Sequence, residues 1–362
     1  MVKCRIYVNW KMKTRYNSFS SLKFNRRFFL LTAGSFAFST LFSSCQTQNQ
    51  SQKPNLDTQN NNSNPIRIGW LKGSPLHILK SQKKLEKRFE SLENSIGWIE
   101  FPTIPVLLEA MNAKTLDYAQ GVDASLVFGQ SSNVPFVYIS ATPERPNSLA
   151  YVVHEDSPIK SVADLKGKKV GYGRGWNLHY LLVKALQSKG LSIKDINSVP
   201  ITTAAEGLAA FESRSVDALA IWDPFYARLQ RSSKLRVLTD GEGLTSNRGF
   251  TIASPEFAQN SPDLIKVILE ELQATSDWAN KNPSQVAQFL SSQLGIEVES
   301  LEVMLRRQTF GVLPVDEKII AEQQGVADTF FSLGLISKQI QVKNLVAKNP
   351  QWLPKELANS NS

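Results

Sequence analysis

Gly171-Tyr172-Gly173-Arg174-Gly175-Trp176-Asn177-Leu178-His179-Tyr180-Leu181 is the stretch on which the fold turns. Residues 170–172 read as the end of a strand, and the glycines as a permissive turn. From Asn177 onward the apolar positions Leu178, Leu181, Leu182, Ala185 and Leu186 recur at helical spacing. A strand, a glycine turn and a helix N-terminus aim free backbone N–H groups at one point, which suits an anion. Most β-to-α turns hold no ligand, so one such turn decides little.

The chain makes the turn twice. Gly69-Trp70-Leu71-Lys72-Gly73-Ser74-Pro75-Leu76-His77-Ile78-Leu79 matches it at an offset of 102, with Lys72 against Arg174, Gly73 against Gly175 and Leu76-His77 against Leu178-His179. At an offset of 100, Thr103, Leu108, Ala110, Lys114, Leu116, Asp117 and Asp123 meet Thr203, Leu208, Ala210, Arg214, Val216, Asp217 and Asp223. Two related units of about 100 residues predict two similar lobes; convergence of common β/α patterns is the alternative.

The 362 residues allow about two domains. The formal charge of +9 sits in the leader: residues 1–44 hold eight of the 41 Lys and Arg and none of the 32 acids. The remainder carries 33 bases against 32 acids, no excess with which to hold nucleic acid. Residues 1–44 read as a signal peptide: Arg26-Arg27-Phe28-Phe29-Leu30 resembles a twin-arginine signal, and an apolar run follows that is shorter than the ~20 residues of a membrane span. Phe42-Ser43-Ser44-Cys45 resembles a lipobox, with Cys45 as the lipidated residue. The alternative is a plain secretory signal with an incidental cysteine. Residues 45–64, rich in Gln, Asn and Ser, read as a flexible tether. The other cysteine, Cys4, lies in the leader, so the mature chain is expected to have no disulfide.

Along the body, strands are expected at 66–70, 97–101, 116–120, 136–140, 149–154, 169–172, 198–202, 218–222, 235–238 and 249–254, with helices at 76–92 and 106–112. Thr203-Ala204-Ala205-Glu206 reads as a capping box. Amphipathic helices follow at 262–280, 283–294, 298–307 and 317–333. Alternation of strands and helices argues α/β lobes with mostly parallel sheets flanked by helices. The strand at 149–154 crosses out of the first lobe and 249–254 crosses back, so lobe I spans 65–150 and 253–342, lobe II 151–252, and 343–362 is a C-terminal tail.

In an open α/β sheet, ligands sit beyond the strand C-termini. Four such ends are marked: the Gly73-Ser74 and Gly175-Trp176-Asn177 turns, Asp123 and Asp223. If the lobes face each other, Ser74 and Asn177 supply donors, Trp176 and Trp222 apolar walls, and Arg248 charge; the alternative for Arg248 is a solvated surface position. The two aspartates repel a bound anion; they cap helices, bind a ligand ammonium, or orient donors. The copies differ at Ser74-Pro75 and Trp176-Asn177, where ligand choice is expected to lie. Catalytic constellations are missing. His77, His154 and His179 have no metal-helix spacing, the glycines lack dinucleotide spacing, and there is no Gly-x-Ser-x-Gly. No enzyme activity, metal or cofactor is expected.

Arg67-Ile68-Gly69-Trp70-Leu71-Lys72-Gly73-Ser74, Trp98-Ile99-Glu100-Phe101-Pro102, Ser157 to Gly167, and Ala220-Ile221-Trp222-Asp223-Pro224 together resemble aliphatic-sulfonate-binding proteins, the substrate-binding components of ABC importers. The likeness runs from about Pro65 to Val342. It implies a periplasmic-binding-protein type II architecture, two α/β lobes hinged by two crossover strands. Ligand contacts are implied at Gly73, Ser74, Pro75, Gly121, Asp123, Trp176, Asn177, Leu178, His179, Trp222 and Asp223. It also implies a small organosulfonate ligand, an ABC permease partner, a monomer, and a location on the periplasmic side of the membrane, anchored through Cys45. Taurine, nitrate or a thiamine precursor are alternative ligands, and an exported enzyme acting on a small anion is an alternative function. Trp176-Asn177-Leu178 and Gly121-Val122-Asp123 depart from the small-residue run and the Thr-Gly-Asp common in such proteins.

Overall fold

The computed structural model describes residues 65–347 and 350–353. The signal sequence, Cys45 and the tether lie outside the described residues, as does most of the tail. The first lobe begins with β1 (Ile66–Trp70), α1 (Pro75–Gln82), α2 (Lys84–Glu90), β2 (Ile96–Glu100), α3 (Ile104–Asn112), β3 (Tyr118–Val122), α4 (Asp123–Ser131) and β4 (Val137–Ala141). The second contains β5 (Leu149–His154), β6 (Lys169–Tyr172), α5 (Asn177–Gln187), β7 (Asn197–Pro200), α6 (Ala204–Glu212), β8 (Ala218–Trp222), α7 (Phe225–Ser232) and β9 (Leu235–Asp240). β10 (Gly249–Ala253) returns to the first sheet, followed by α8 (Pro255–Asn260), α9 (Pro262–Lys281), α10 (Pro283–Leu294), α11 (Val298–Leu305) and α12 (Glu317–Ser332).

The sheets have the same plan, β2-β1-β3-β10-β4 and β7-β6-β8-β5-β9. In each, four strands point one way and one, β10 or β5, runs antiparallel between two neighbours. The likeness between halves extends to single bonds. Asp117 accepts the Arg67 N–H at 2.8 Å, and its counterpart Asp217 accepts the Lys169 N–H at 2.7 Å. Lys114 and Arg214 both sit in the left-handed region, with φ of 57° and 56°.

The helix α5 forms because its apolar stripe has a core to meet. Leu178, Leu181, Leu182, Ala185 and Leu186 are all buried against Leu149, Tyr151 and Val170 of the sheet. Each such leucine contributes roughly 1.5–3 kcal/mol relative to exposure. Two expectations are corrected. The helix expected at 76–92 is two, because Lys83 turns left-handed at φ 54° and its N–H closes α1 on Lys80 O. The stripe of Leu79, Leu85 and Phe89 continues across the break, so periodicity hides it. In the box at Thr203, the hydroxyl caps the Glu206 N–H, but the Glu206 carboxylate takes the Thr202 N–H and hydroxyl. The described part of the tail is packed: Val346 bridges Tyr138, and buried Trp352 donates to Ile139 O at 3.3 Å.

The topology sets where the lobes join. The parallel strands end at Trp70, Val122, Tyr172 and Trp222, and β10 starts opposite Val122. Residues 142–148 and 241–248, which connect the lobes, therefore lie at this same edge. They bond to each other through Arg145 N–H to Ser246 O at 3.0 Å and Gly241 N–H to Pro146 O at 3.1 Å.

Candidate ligand-binding cleft

The two glycine turns are built alike. Gly73 and Gly175 both have φ of 81°, which only glycine adopts without strain. Each N–H is accepted by the Nδ1 of the histidine four residues on, Gly73 by His77 at 3.1 Å and Gly175 by His179 at 3.0 Å. Burial lowers the pKa of both histidines, that of His179 to about 4, so the imidazoles stay neutral and keep Nδ1 as an acceptor. His77 and His179 thus pin the turns from inside the protein.

Between the lobes lies a cleft of about 1180 Å³. It is lined by Gly73, Trp176, Asn177, Trp222 and Asp223, all expected from the sequence. The other expected residues do not line it. Ser74 caps α1, its hydroxyl oxygen accepting the His77 N–H at 3.2 Å, and Pro75 has no N–H to offer. Gly121 is inside β3, where Leu126 would lie 2.7 Å from an added Cβ. Leu178 and His179 point into the core of their lobe's side. Asp123 is buried behind its neighbours Val122 and Ala124, which do line the cleft.

Arg248 is the clearest difference. Its side chain is 6% exposed, and Nε donates to Glu322 at 2.7 Å and Nη1 to Thr142 O at 3.1 Å, while Nη2 lies 3.5 Å from Glu144. Each of its nitrogens has a protein partner, on α12 through Glu322 and on the other crossover through Thr142 and Glu144, and its side chain does not line the cleft.

Two arginines line the cleft, Arg174 beside the second glycine turn and Arg145 on the other crossover. Among the described residues the Arg145 guanidinium makes one hydrogen bond, Nε to Asn247 O at 3.2 Å, so both of its terminal nitrogens are without an acceptor there. Beside it Asn177 Nδ2 donates to Asn247 Oδ1 at 2.7 Å, and Asn247 Nδ2 donates to Ser148 Oγ at 2.9 Å. Arg145, Ser148, Asn177 and Asn247 form one polar end on the hinge side. Nothing in the sequence around Arg145 distinguishes it from a solvated loop arginine; only its nearness to the crossover strand at 149 is a signal.

The repeat-related Asp123 and Asp223 both act electrostatically on Arg145. Burial raises the pKa of Asp123 to about 6, opposed by the Ala124 N–H, which its carboxylate accepts at 2.6 Å, and by Arg145. Burial raises Asp223 to about 6 as well, opposed by Arg307, whose Nη1 donates to it at 3.0 Å, and by the Ala227 N–H. Asp223 thus starts α7, and Arg307, beyond α11, also bonds Gln230 and stacks over Tyr226 at 4.2 Å. These contacts tie the last helices to the second lobe. Among the described residues no group of three or more His, Cys, Asp or Glu side chains is placed to hold a metal.

Two similar lobes, joined where their strands end and enclosing a cleft with a guanidinium at the hinge whose terminal nitrogens lack an acceptor among the described residues, define a solute-binding protein of the two-lobed periplasmic type. A family profile described as NMT1/THI5 like matches residues 107–286. The aliphatic sulfonates-binding protein of Escherichia coli K12 is 34% identical over 294 residues, covering 81% of this chain and 90% of that protein. The chain belongs to the aliphatic-sulfonate-binding family. The crystal structure of the periplasmic aliphatic sulphonate binding protein from Escherichia coli matches with a TM-score of 0.76 at 33% identity, over 80% of this chain and 94% of that one. The alkanesulfonate-binding protein of Xanthomonas axonopodis pv. citri, bound to MOPS, matches at 0.70 and 31% identity, over 78% of this chain and 98% of that one.

Proposed function

We propose that this chain captures an organosulfonate in the interlobe cleft and delivers it to an ABC permease, acting as a binding protein and not as an enzyme. The observation that carries the reading is Arg145: a lining guanidinium with both terminal nitrogens lacking an acceptor among the described residues. A sulfonate presents three oxygens, which two parallel N–H donors can engage, as guanidinium pairs do with other oxyanions. Asn177 and Trp222 complete the seat, one with a side-chain amide and the other with an apolar face. The names of the relatives support the ligand class and an extracytoplasmic location. The leader and Cys45 support export and lipid anchoring, which would hold a monomeric receptor close to its permease.

Isothermal titration of the full chain with hexanesulfonate tests the reading. Wild type binds. Arg145→Gln, which leaves the fold's hydrogen bond to Asn247 O within reach of an amide, is expected to weaken binding by about 100-fold, the typical effect of removing one partner of a desolvated charge pair. An affinity unchanged in Arg145→Gln would refute it.

A further inference from the structure

Arg307, just beyond α11, does not line the cleft, yet it is tied to one of the cleft's walls. Its Nη1 donates to both carboxylate oxygens of Asp223, at 3.0 and 3.2 Å, and its Nη2 donates to Gln230 Oε1. The guanidinium lies 4.2 Å from the centre of the Tyr226 ring. Around this pair, α7 of the second lobe packs on the segment that carries α10 and α11. Buried Ala227 joins Leu301, Met304 and Leu305 in one apolar cluster, and Arg228 Nε lies 3.4 Å from Glu297. The same segment is held to the first lobe. Asn280 Nδ2 donates to Phe310 O and accepts the Phe310 N–H at its Oδ1, each at 2.9 Å, and the Phe289 ring lies 5.0 Å from that of His77. Residues 283–310 are thus a strap fastened to both lobes, with Leu290, Leu294 and Met304 lining the cleft.

From Asp223 the contacts run on to the anion pole. The Asp223 N–H donates to Ser148 O at 2.8 Å, and Ser148 Oγ accepts from Asn247 Nδ2 at 2.9 Å. Asn247 then bonds Arg145 twice, its O accepting from Nε at 3.2 Å and its Nδ2 donating to Arg145 O at 3.3 Å. Three residues therefore join Arg307 to Arg145 by an unbroken run of hydrogen bonds, and Asp223 directly follows the cleft wall Trp222. Hydrogen bonds shielded from water are stronger and more directional than exposed ones, so such a run transmits a displacement. Resting on the proposed function above, we infer that Arg307 is a positioning residue for ligand capture. By clamping Asp223 it latches the strap onto the second lobe and, through Ser148 and Asn247, fixes where the Arg145 guanidinium points. Arg307 itself touches no ligand. Linkage makes the effect mutual: a ligand that orders Arg145 tightens the latch.

The test is stopped-flow kinetics of the full chain with hexanesulfonate, read by the fluorescence of Trp176 and Trp222, both in the cleft lining, together with small-angle X-ray scattering of the ligand-free chain. Arg307→Met is expected to raise the dissociation rate about tenfold and to change the association rate less than about twofold. Arg307→Lys still faces Asp223 with a charge but lacks the fork that also reaches Gln230, and its dissociation rate is expected about threefold above wild type. The radius of gyration of ligand-free Arg307→Met is expected to exceed that of wild type. A lowered Tm in Arg307→Met with dissociation rate and radius unchanged would overturn the inference, because a merely structural ion pair gives that result. If Arg307→Met does not fold, Arg307→Lys decides: a dissociation rate equal to wild type overturns the inference. Wild type that binds no hexanesulfonate would overturn the proposed function instead; equal radii for wild type and Arg307→Lys would then overturn the latch as well, and a larger radius for Arg307→Lys would support it.

Discussion

Asp123 shows what a single residue contributes to this site. It is nine-tenths or more enclosed, with one backbone donor and no cationic side chain bonded to it. Its carboxyl therefore prefers the neutral form, with a pKa raised to about 6. The sign follows from proton binding. Between about pH 4 and pH 6 the folded chain holds a proton that the unfolded chain has lost, so stability falls as pH rises across that window. Above it the folded state carries the full cost of the buried charge. Asp123→Asn keeps an oxygen for the Ala124 N–H and removes the charge. It is expected to raise the unfolding free energy by about 2 kcal/mol at pH 8, with the gain vanishing below pH 4. Denaturant unfolding at both pH values checks this, and an equal effect at both would contradict it. Arg145 is the residue the sequence concealed. It sits among Thr142, Pro143, Glu144 and Pro146, a composition that reads as a solvated loop. Its role arises only because two crossovers distant in sequence meet at the strand ends. Arg248 attracted attention for its closeness to a crossover, yet Glu322, more than seventy positions away, takes its Nε–H, and Thr142 and Glu144 on the other crossover take the rest of its contacts.

At the scale of elements, the paired glycine turns were legible because local physics writes them into the chain. A positive φ requires glycine, and the helices that follow need an apolar stripe. The helices α4 and α7 were foreshadowed only in the helix-cap reading of Asp123 and Asp223; they are short and begin at or just after those residues. What the turns do beyond shaping the backbone differs between copies. A Cβ on Gly175 would sit 2.9 Å from the ring of Phe128 on the opposite lobe, while one on Gly73 would meet Leu294 at an ordinary 3.6 Å. The backbone strain is the same in both, so the steric difference can be read by itself. Gly73→Ala is expected to destabilise by about 1 kcal/mol, and Gly175→Ala by about 2–3 kcal/mol, the excess coming from displacement of Phe128. Thermal unfolding of the two variants side by side measures the difference; equal losses would show that the Phe128 contact carries no weight.

The whole molecule is two copies of one sheet plan facing across a shared edge, with each copy lending its antiparallel strand from the far side of a crossover. The likeness at offsets of 102 and 100 was visible in the sequence, and so was the alternation of strands and helices. The third wall of the cleft was not. The pairing of Arg307 with Asp223, and the seating of α10 and α11 beside the second lobe, link segments more than fifty residues apart with no local signature. That wall supplies Leu294 and Met304 to the cleft. The central claim is that the guanidinium of Arg145 at the hinge receives the ligand's anionic group. The most direct measurement is a crystal structure of the chain with hexanesulfonate. The account predicts sulfonate oxygens within hydrogen-bond distance of both terminal nitrogens of Arg145. A sulfonate held at the mouth by Lys72 or Arg174, with Arg145 untouched, would contradict it.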